Sequence, residues 1–296
     1  YGIQCQTTHH DTIIGVTDDV QPYYQRYIDV LHQYCYQRYG TFVQLIVRNN
    51  TCYDLETVRR VVHDNHTFPV TPPTPPTSVQ GRQPQVQQQQ RLDLDKYDYF
   101  VYVNCGVSGP SAKWSTLPWT DVLTLPMEVH PTVKMTGLTM NCPTPRRRRN
   151  SLGRKGSHIQ SMVYALDKIG FQLIRNVTNN VIFDCTTAQD DDSPTTRRNN
   201  IILQYEIGMS QLILQHGYGI SPIIGPTIIT FTNQSICQQS DYVYYHDVWK
   251  ANKMSIVFGK NDSIELDDAI FIKTSRVMSP RTQQQIGYNY TFNWGQ

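Results

Sequence analysis

The chain has 296 residues, 39% of them hydrophobic and 11% aromatic, enough to bury one large core or two small ones. A net charge of +2 and a pI near 8.1 exclude a global field aimed at nucleic acid or an anionic membrane. No apolar run, Ile201–Leu203 and Ile223–Ile224 included, approaches the roughly 20 residues that cross a bilayer. The chain starts at Tyr1 without an initiator Met, so the expectation is that an upstream piece has been removed, and that any membrane anchor lay in it.

In chain order, Tyr23, Tyr27, Leu31, Tyr34 and Tyr39 fall at helical spacing, with Gly40 as a stop. Phe42–Val47 reads as a strand that ends in the polar turn Arg48–Thr51, and Tyr53–His63 suits a helix. From about 69 to 91 the composition falls to Pro, Thr and Gln, which cannot bury apolar surface, and a disordered insertion is expected. Tyr97–Val103 is an almost unbroken β-former run, expected to be a strand buried on both faces, and Val133–Met140 a second strand. Flexible polar loops are expected at about 143–157, around Arg146–Arg149, and at about 186–200, around Asp190–Asp192. Between them, Met162, Leu166 and Ile169 give Ile159–Leu173 a helical period. A helix is expected over about Ile201–His216, closed by Gly217, and a short strand over Ala269–Lys273. Strands alternating with helices predict an α/β sandwich with a mainly parallel sheet.

The compartment is read from sequons and cysteines. Asn-x-Ser/Thr occurs at Asn49, Asn65, Asn176, Asn233, Asn261 and Asn289. Seven widely spaced cysteines contain no Cys-x-x-Cys pair, which argues against a zinc site and permits disulfides in an oxidising lumen. Reduced, buried cysteines of a cytosolic enzyme are the alternative; the sequons favour the lumen.

Four clusters could carry chemistry. Asp54, after a strand end, either binds a ribose or base or caps its helix. The run Asn104-Cys105-Gly106-Val107-Ser108-Gly109-Pro110 lets backbone approach a ligand, or is a tight structural turn. It lacks the charged oxygens that a hard cation needs, so a divalent metal (Mn²⁺ or Mg²⁺) has no Asp-x-Asp support there. Ser157-His158-Ile159-Gln160-Ser161 is expected to open a helix, where an anion is favoured and His158 could donate to phosphate; a surface or capping His is the bland reading. Glu206, flanked by apolar residues on a helix, is either an ordinary surface Glu or a general base with a raised pKa. Arg146–Arg149 has no second basic patch with interleaved aromatics, so nucleic acid is not an expected partner.

Taken together, VRNNTCYDLET, KYDYFVYVNCGVSGP, WTDVLTLPMEVHPTVKMTGLTMNC, SHIQSMVYALDKIGFQLI, LQYEIGMSQLILQHGYGI and AIFIKTSR are collinear between Val43 and Arg276. They resemble successive blocks of a glycosyltransferase family of protists, algae and bacteria related to the rhamnan-synthesis F proteins. The resemblance implies a single domain over 1–296 with a GT-A-like (Rossmann-like) three-layer sandwich. It also implies transfer of a sugar from a nucleotide-sugar donor to a glycan acceptor in the Golgi or secretory lumen. By position, Tyr53, Asp54, Asn104, Gly109, Pro110, Gln160 and Ser161 would hold the donor, with Glu206 as catalytic base and His158 beside the diphosphate. An inverting displacement without a bound metal is expected. Glu56, Gly106 and Ser157 depart from the family's usual Gly, Ser and Pro, which keeps open a carbohydrate-binding protein of the same fold without turnover.

Overall fold

In a computed structural model the structure describes residues 93–103, 107–108, 118–141, 156–176, 194–223, 228–233 and 270–273, with short segments at 12–17, 43–48, 58, 67–69, 89–91, 249–250, 253–254, 257–258 and 262–263. The chain separates into two compact units, Tyr1–Lys96 and Tyr97–Gln296. Among the described residues, no helix is long and apolar enough to cross a membrane.

In the first unit, β1 (Thr12–Thr17) lies parallel to β2 (Val43–Arg48), with Thr12 opposite Val43 and Thr17 opposite Arg48. β2 is the expected strand shifted by one residue; β1, a β-branched run interrupted by Gly15, was not expected. β3 (Thr67–Pro69) pairs antiparallel with β4 (Gln89–Arg91), so the two ends of the Pro/Gln-rich segment are joined. Of the helix expected over Tyr53–His63 only Val58, which is helical, is described. The aromatic series Tyr23–Tyr39 lies outside the described residues.

The second unit is built on four strands: β5 (Tyr99–Val103), β7 (Val133–Gly137), β10 (Val163–Asp167) and β11 (Gly219–Pro222), in the order β11-β7-β10-β5. β11 is parallel to β7, whereas β10 runs antiparallel to both β7 and β5. The sheet is thus mixed, not mainly parallel. β5 is its edge, half-buried over its first four residues and with Val103 39% exposed, where burial on both faces was expected. Three short strands complete the framework: β6 (Val107–Ser108), β8 (Met140–Asn141) and β9 (His158–Ile159). β9 pairs with β8, and Ile272–Lys273, inside the expected terminal strand, pairs with β6.

Cross-strand partners share a face. Val101, Ala165 and Thr136 lie in one row across the sheet, and α1 (Trp119–Val129) covers their face: Thr136 Oγ1 donates to the Leu123 carbonyl at 2.5 Å. Leu123, Met127, Val163, Ala165, Ile270 and Phe271 pack together there, with Trp119 edge-on to Phe271. The row Phe100, Leu166 and Met135 lies on the opposite face, where Phe171 of α2 (Lys168–Arg175) stacks on Phe100 with ring centroids 3.6 Å apart.

The helix expected over Ile159–Leu173 is therefore a strand followed by a helix. Met162, Leu166 and Ile169 have the right spacing, but Val163, Tyr164 and Ala165 between them are apolar as well, and all are buried between two ladders. Ile169, on the supposed apolar stripe, is 42% exposed. Asp167 ends the strand and caps the helix, accepting the Gly170 N–H at 2.8 Å. Gly170 sits so close to β7 that an added Cβ would lie 2.4 Å from the Lys134 carbonyl oxygen.

The second expected loop is helical in its last part: α3 (Pro194–Ile201) opens with proline at its first position. It continues through a π-helical turn, Ile202–Ile207, into α4 (Gly208–Gln215). The expected stop is present. Gly217 has φ 83°, its N–H reaches the Leu214 carbonyl at 3.0 Å, and the Tyr218 N–H reaches Ile213 at 3.2 Å.

Candidate functional site

Two of the four clusters meet although they are 45 residues apart in the chain. β9 and the turn that follows it carry His158, Gln160 and Ser161; the π-helical turn carries Glu206. Each extra residue in a π turn re-aims the side chains along that stretch, and such turns recur at functional positions. Ser161 donates its hydroxyl to Glu206 Oε2 at 2.5 Å and its backbone N–H to the same oxygen at 3.2 Å. His158 Nε2 stands 3.6 Å from Glu206 Oε1, and His158 Nδ1 lies 3.1 Å from the Gly156 carbonyl oxygen. Both ring nitrogens thus face oxygen atoms.

Glu206 does not stand in apolar surroundings, and its carboxyl is not raised. Burial alone would push it up, but the hydrogen bond and charge of His158 and the two bonds from Ser161 outweigh that and hold it below its ordinary value. The side chain retains 19% exposure, and His158 retains 10%. The site therefore presents an ionised, oriented carboxylate with one oxygen fixed from two sides by Ser161.

The expected helix N-terminus at Ser157–Ser161 is absent, because those residues form a strand and a turn. The anion that Ser161 N–H receives is Glu206's own. Gln160 is buried, its side-chain oxygen accepting from Thr139 Oγ1 and its N–H bonding to the Thr139 carbonyl at 3.0 Å. In this arrangement Gln160 joins β8 to β9. Tyr53, Asp54, Asn104, Gly109 and Pro110 lie outside the described residues.

α4 braces the same turn. Ser210 Oγ accepts the Ile159 N–H at 3.0 Å, and the Gln211 amide donates to the Ser157 carbonyl at 2.7 Å. Gly156, at φ 102°, leaves no room for a Cβ beside that amide. Ser157 is fully buried, and among the described residues its hydroxyl has no hydrogen-bond partner. Gln211 and Thr139 were not singled out in the sequence; nothing in the spacing of either distinguishes it from an ordinary polar residue. Below Glu206, the Tyr205 and Tyr164 hydroxyls hydrogen-bond each other, and Tyr164 is stacked on Tyr102 at 5.0 Å. Burial raises the Tyr164 phenol, partly opposed by the Tyr205 bond, so Tyr164 is neutral. Among the described residues, no group of three or more His, Cys, Asp or Glu could hold a metal ion.

Comparison of the chain with protein-family models, with curated proteins and with solved structures finds no match.

Proposed function

We propose that the chain is a glycosyltransferase domain that moves a sugar from a nucleotide-sugar donor to a glycan acceptor in the secretory lumen. The fold in this reading is a GT-A-like sandwich around the mixed sheet. The observation that supports it is the meeting of His158, Ser161 and Glu206, residues of two separate blocks of the resemblance. Glu206 Oε1, the oxygen not held by Ser161, takes the proton of the acceptor hydroxyl. The acceptor oxygen forms the new bond to the anomeric carbon as the bond from that carbon to the nucleoside diphosphate breaks. A carboxylate with a lowered pKa is ionised at neutral pH but is a weak base, so proton transfer accompanies attack and does not precede it. His158, directed at Glu206 and Gly156, orients the carboxylate.

A thermal-shift screen with nucleotide sugars, with and without Mn²⁺, tests this reading, because a ligand that binds only the folded state raises its stability with concentration. At least one nucleotide sugar is expected to raise the Tm with no requirement for Mn²⁺. No shift across uridine, guanosine, cytidine and thymidine diphosphate sugars would contradict it.

The engagement of both Glu206 oxygens inside the fold supports a second reading, a carbohydrate-binding protein without turnover. It predicts stabilisation by glycans with no release of nucleoside diphosphate.

A further inference from the structure

Two of the six sequons place their asparagine among the described residues, and the structure treats them in opposite ways. Asn176 follows the last turn of α2. Its backbone N–H bonds to the Gln172 carbonyl at 2.9 Å, and the residue is exposed. The helix is therefore closed by the Asn176 main chain, and its side chain stands at the surface. Asn233 is half-buried and closes a small loop with its side chain. Its Oδ1 accepts the Thr230 N–H at 2.6 Å, and its Nδ2 donates to the Ile228 carbonyl at 3.1 Å. The same loop is latched to the sheet: Ile229, 1% exposed, exchanges backbone hydrogen bonds with Ile220 of β11 at 2.8 and 2.9 Å.

We infer that Asn176 is an N-glycosylation site of the folded protein and that Asn233 is not. This rests on the secretory-lumen reading above. In the transfer, Asn Nδ2 forms a bond to the anomeric carbon of a lipid-linked oligosaccharide diphosphate. The bond from that carbon to phosphate oxygen breaks, one Nδ2 hydrogen leaves as a proton, and the lipid diphosphate departs. At Asn176 the product projects into solvent with the helix end intact. At Asn233 the glycan replaces one of the two hydrogens on the nitrogen that serves Ile228, in a half-buried turn whose amide is held at both ends, so the added sugar crowds the loop that seats Ile229 against β11.

The test is site occupancy. The full chain is secreted from a eukaryotic host behind a cleavable signal, and the folded fraction is treated with peptide N-glycosidase in ¹⁸O water and mapped by mass spectrometry. The expected result is ¹⁸O-labelled aspartate at position 176 and unlabelled asparagine at 233, with Asn176→Gln removing one glycan from the intact mass. Labelling at 233 in the folded fraction, or none at 176, would overturn the inference. Asn233→Gln separates structure from modification: it should lower the Tm without changing glycan mass. Glycan analysis of the protein from its own cells judges the compartment separately. Absence of N-glycans at all six sequons there would refute the luminal reading, while the secreted chain still decides between the two sites.

Discussion

Ser161 grips a single oxygen of Glu206 with both its hydroxyl and its backbone N–H, at 2.5 and 3.2 Å. This double contact joins the turn after β9 to the π-helical turn, and it fixes which carboxylate oxygen is left to face His158. The site's orientation and part of the fold's stability thus share one set of bonds.

Replacing Ser161 with alanine deletes the shorter bond and keeps the backbone one. A hydrogen bond to a charged group contributes about 1.5–3 kcal/mol, so Ser161→Ala is expected to lose about that much in urea unfolding. Ser161→Thr, which retains the hydroxyl, should recover most of it. A Ser161→Ala variant as stable as the parent would show that the contact is not formed in solution.

The depressed pKa of Glu206 sets the direction of a pH effect. A group whose folded pKa is lowered adds stability that is present above its unfolded value, near 4.5, and is lost as pH falls through the folded pKa. Unfolding free energy should therefore fall more steeply with acid below about pH 4.5 in the parent than in Glu206→Gln. Parallel curves would contradict the lowered pKa of Glu206.

Lys134 and Asp167 form a 2.6 Å ion pair with only 8% and 14% of their side chains exposed. Breaking such a pair from one side costs about 3–5 kcal/mol, because the other charge stays buried. Asp167→Asn preserves the cap to Gly170 but strands the lysine, so it should show that loss by chemical denaturation. Lys134→Met leaves Asp167 with the Gly170 N–H and should cost less, and the double variant should be more stable than Asp167→Asn alone.

Two glycines separate crowding from backbone strain. Gly170→Ala meets the Lys134 carbonyl and must push α2 off the sheet, an overpacking cost of about 3 kcal/mol. Gly217→Ala meets nothing within 4 Å, and only its left-handed conformation resists, at about 1–2 kcal/mol. Thermal unfolding of both variants should rank them in that order.

The sequence made some of this legible. Apolar runs marked β2, β5 and β7, and Gly217 marked the end of α4, because a buried strand and a left-handed cap each demand particular residue types. The same apolar continuity misled at Val163–Asp167, where a central strand and a buried helix carry similar side chains. Sheet direction was not legible, since strand order depends on pairings between distant segments. At the site, His158, Ser161 and Glu206 were singled out one by one. Their mutual contacts span 45 residues and rest on a π turn that no local spacing announces. The expected pKa of Glu206 was inverted for the same reason: its sequence neighbours are apolar, but its spatial neighbours are His158 and Ser161.

In the proposed function, Glu206 is the base of a sugar transfer. Release of nucleoside diphosphate from the nucleotide sugar that stabilises the fold, in the presence of glycan acceptors, measures it directly when parent and Glu206→Gln are compared. Loss of the base is expected to lower turnover by about 10²–10⁴-fold, with the thermal shift by the same nucleotide sugar retained. Equal turnover by the two proteins would show that Glu206 is not the base.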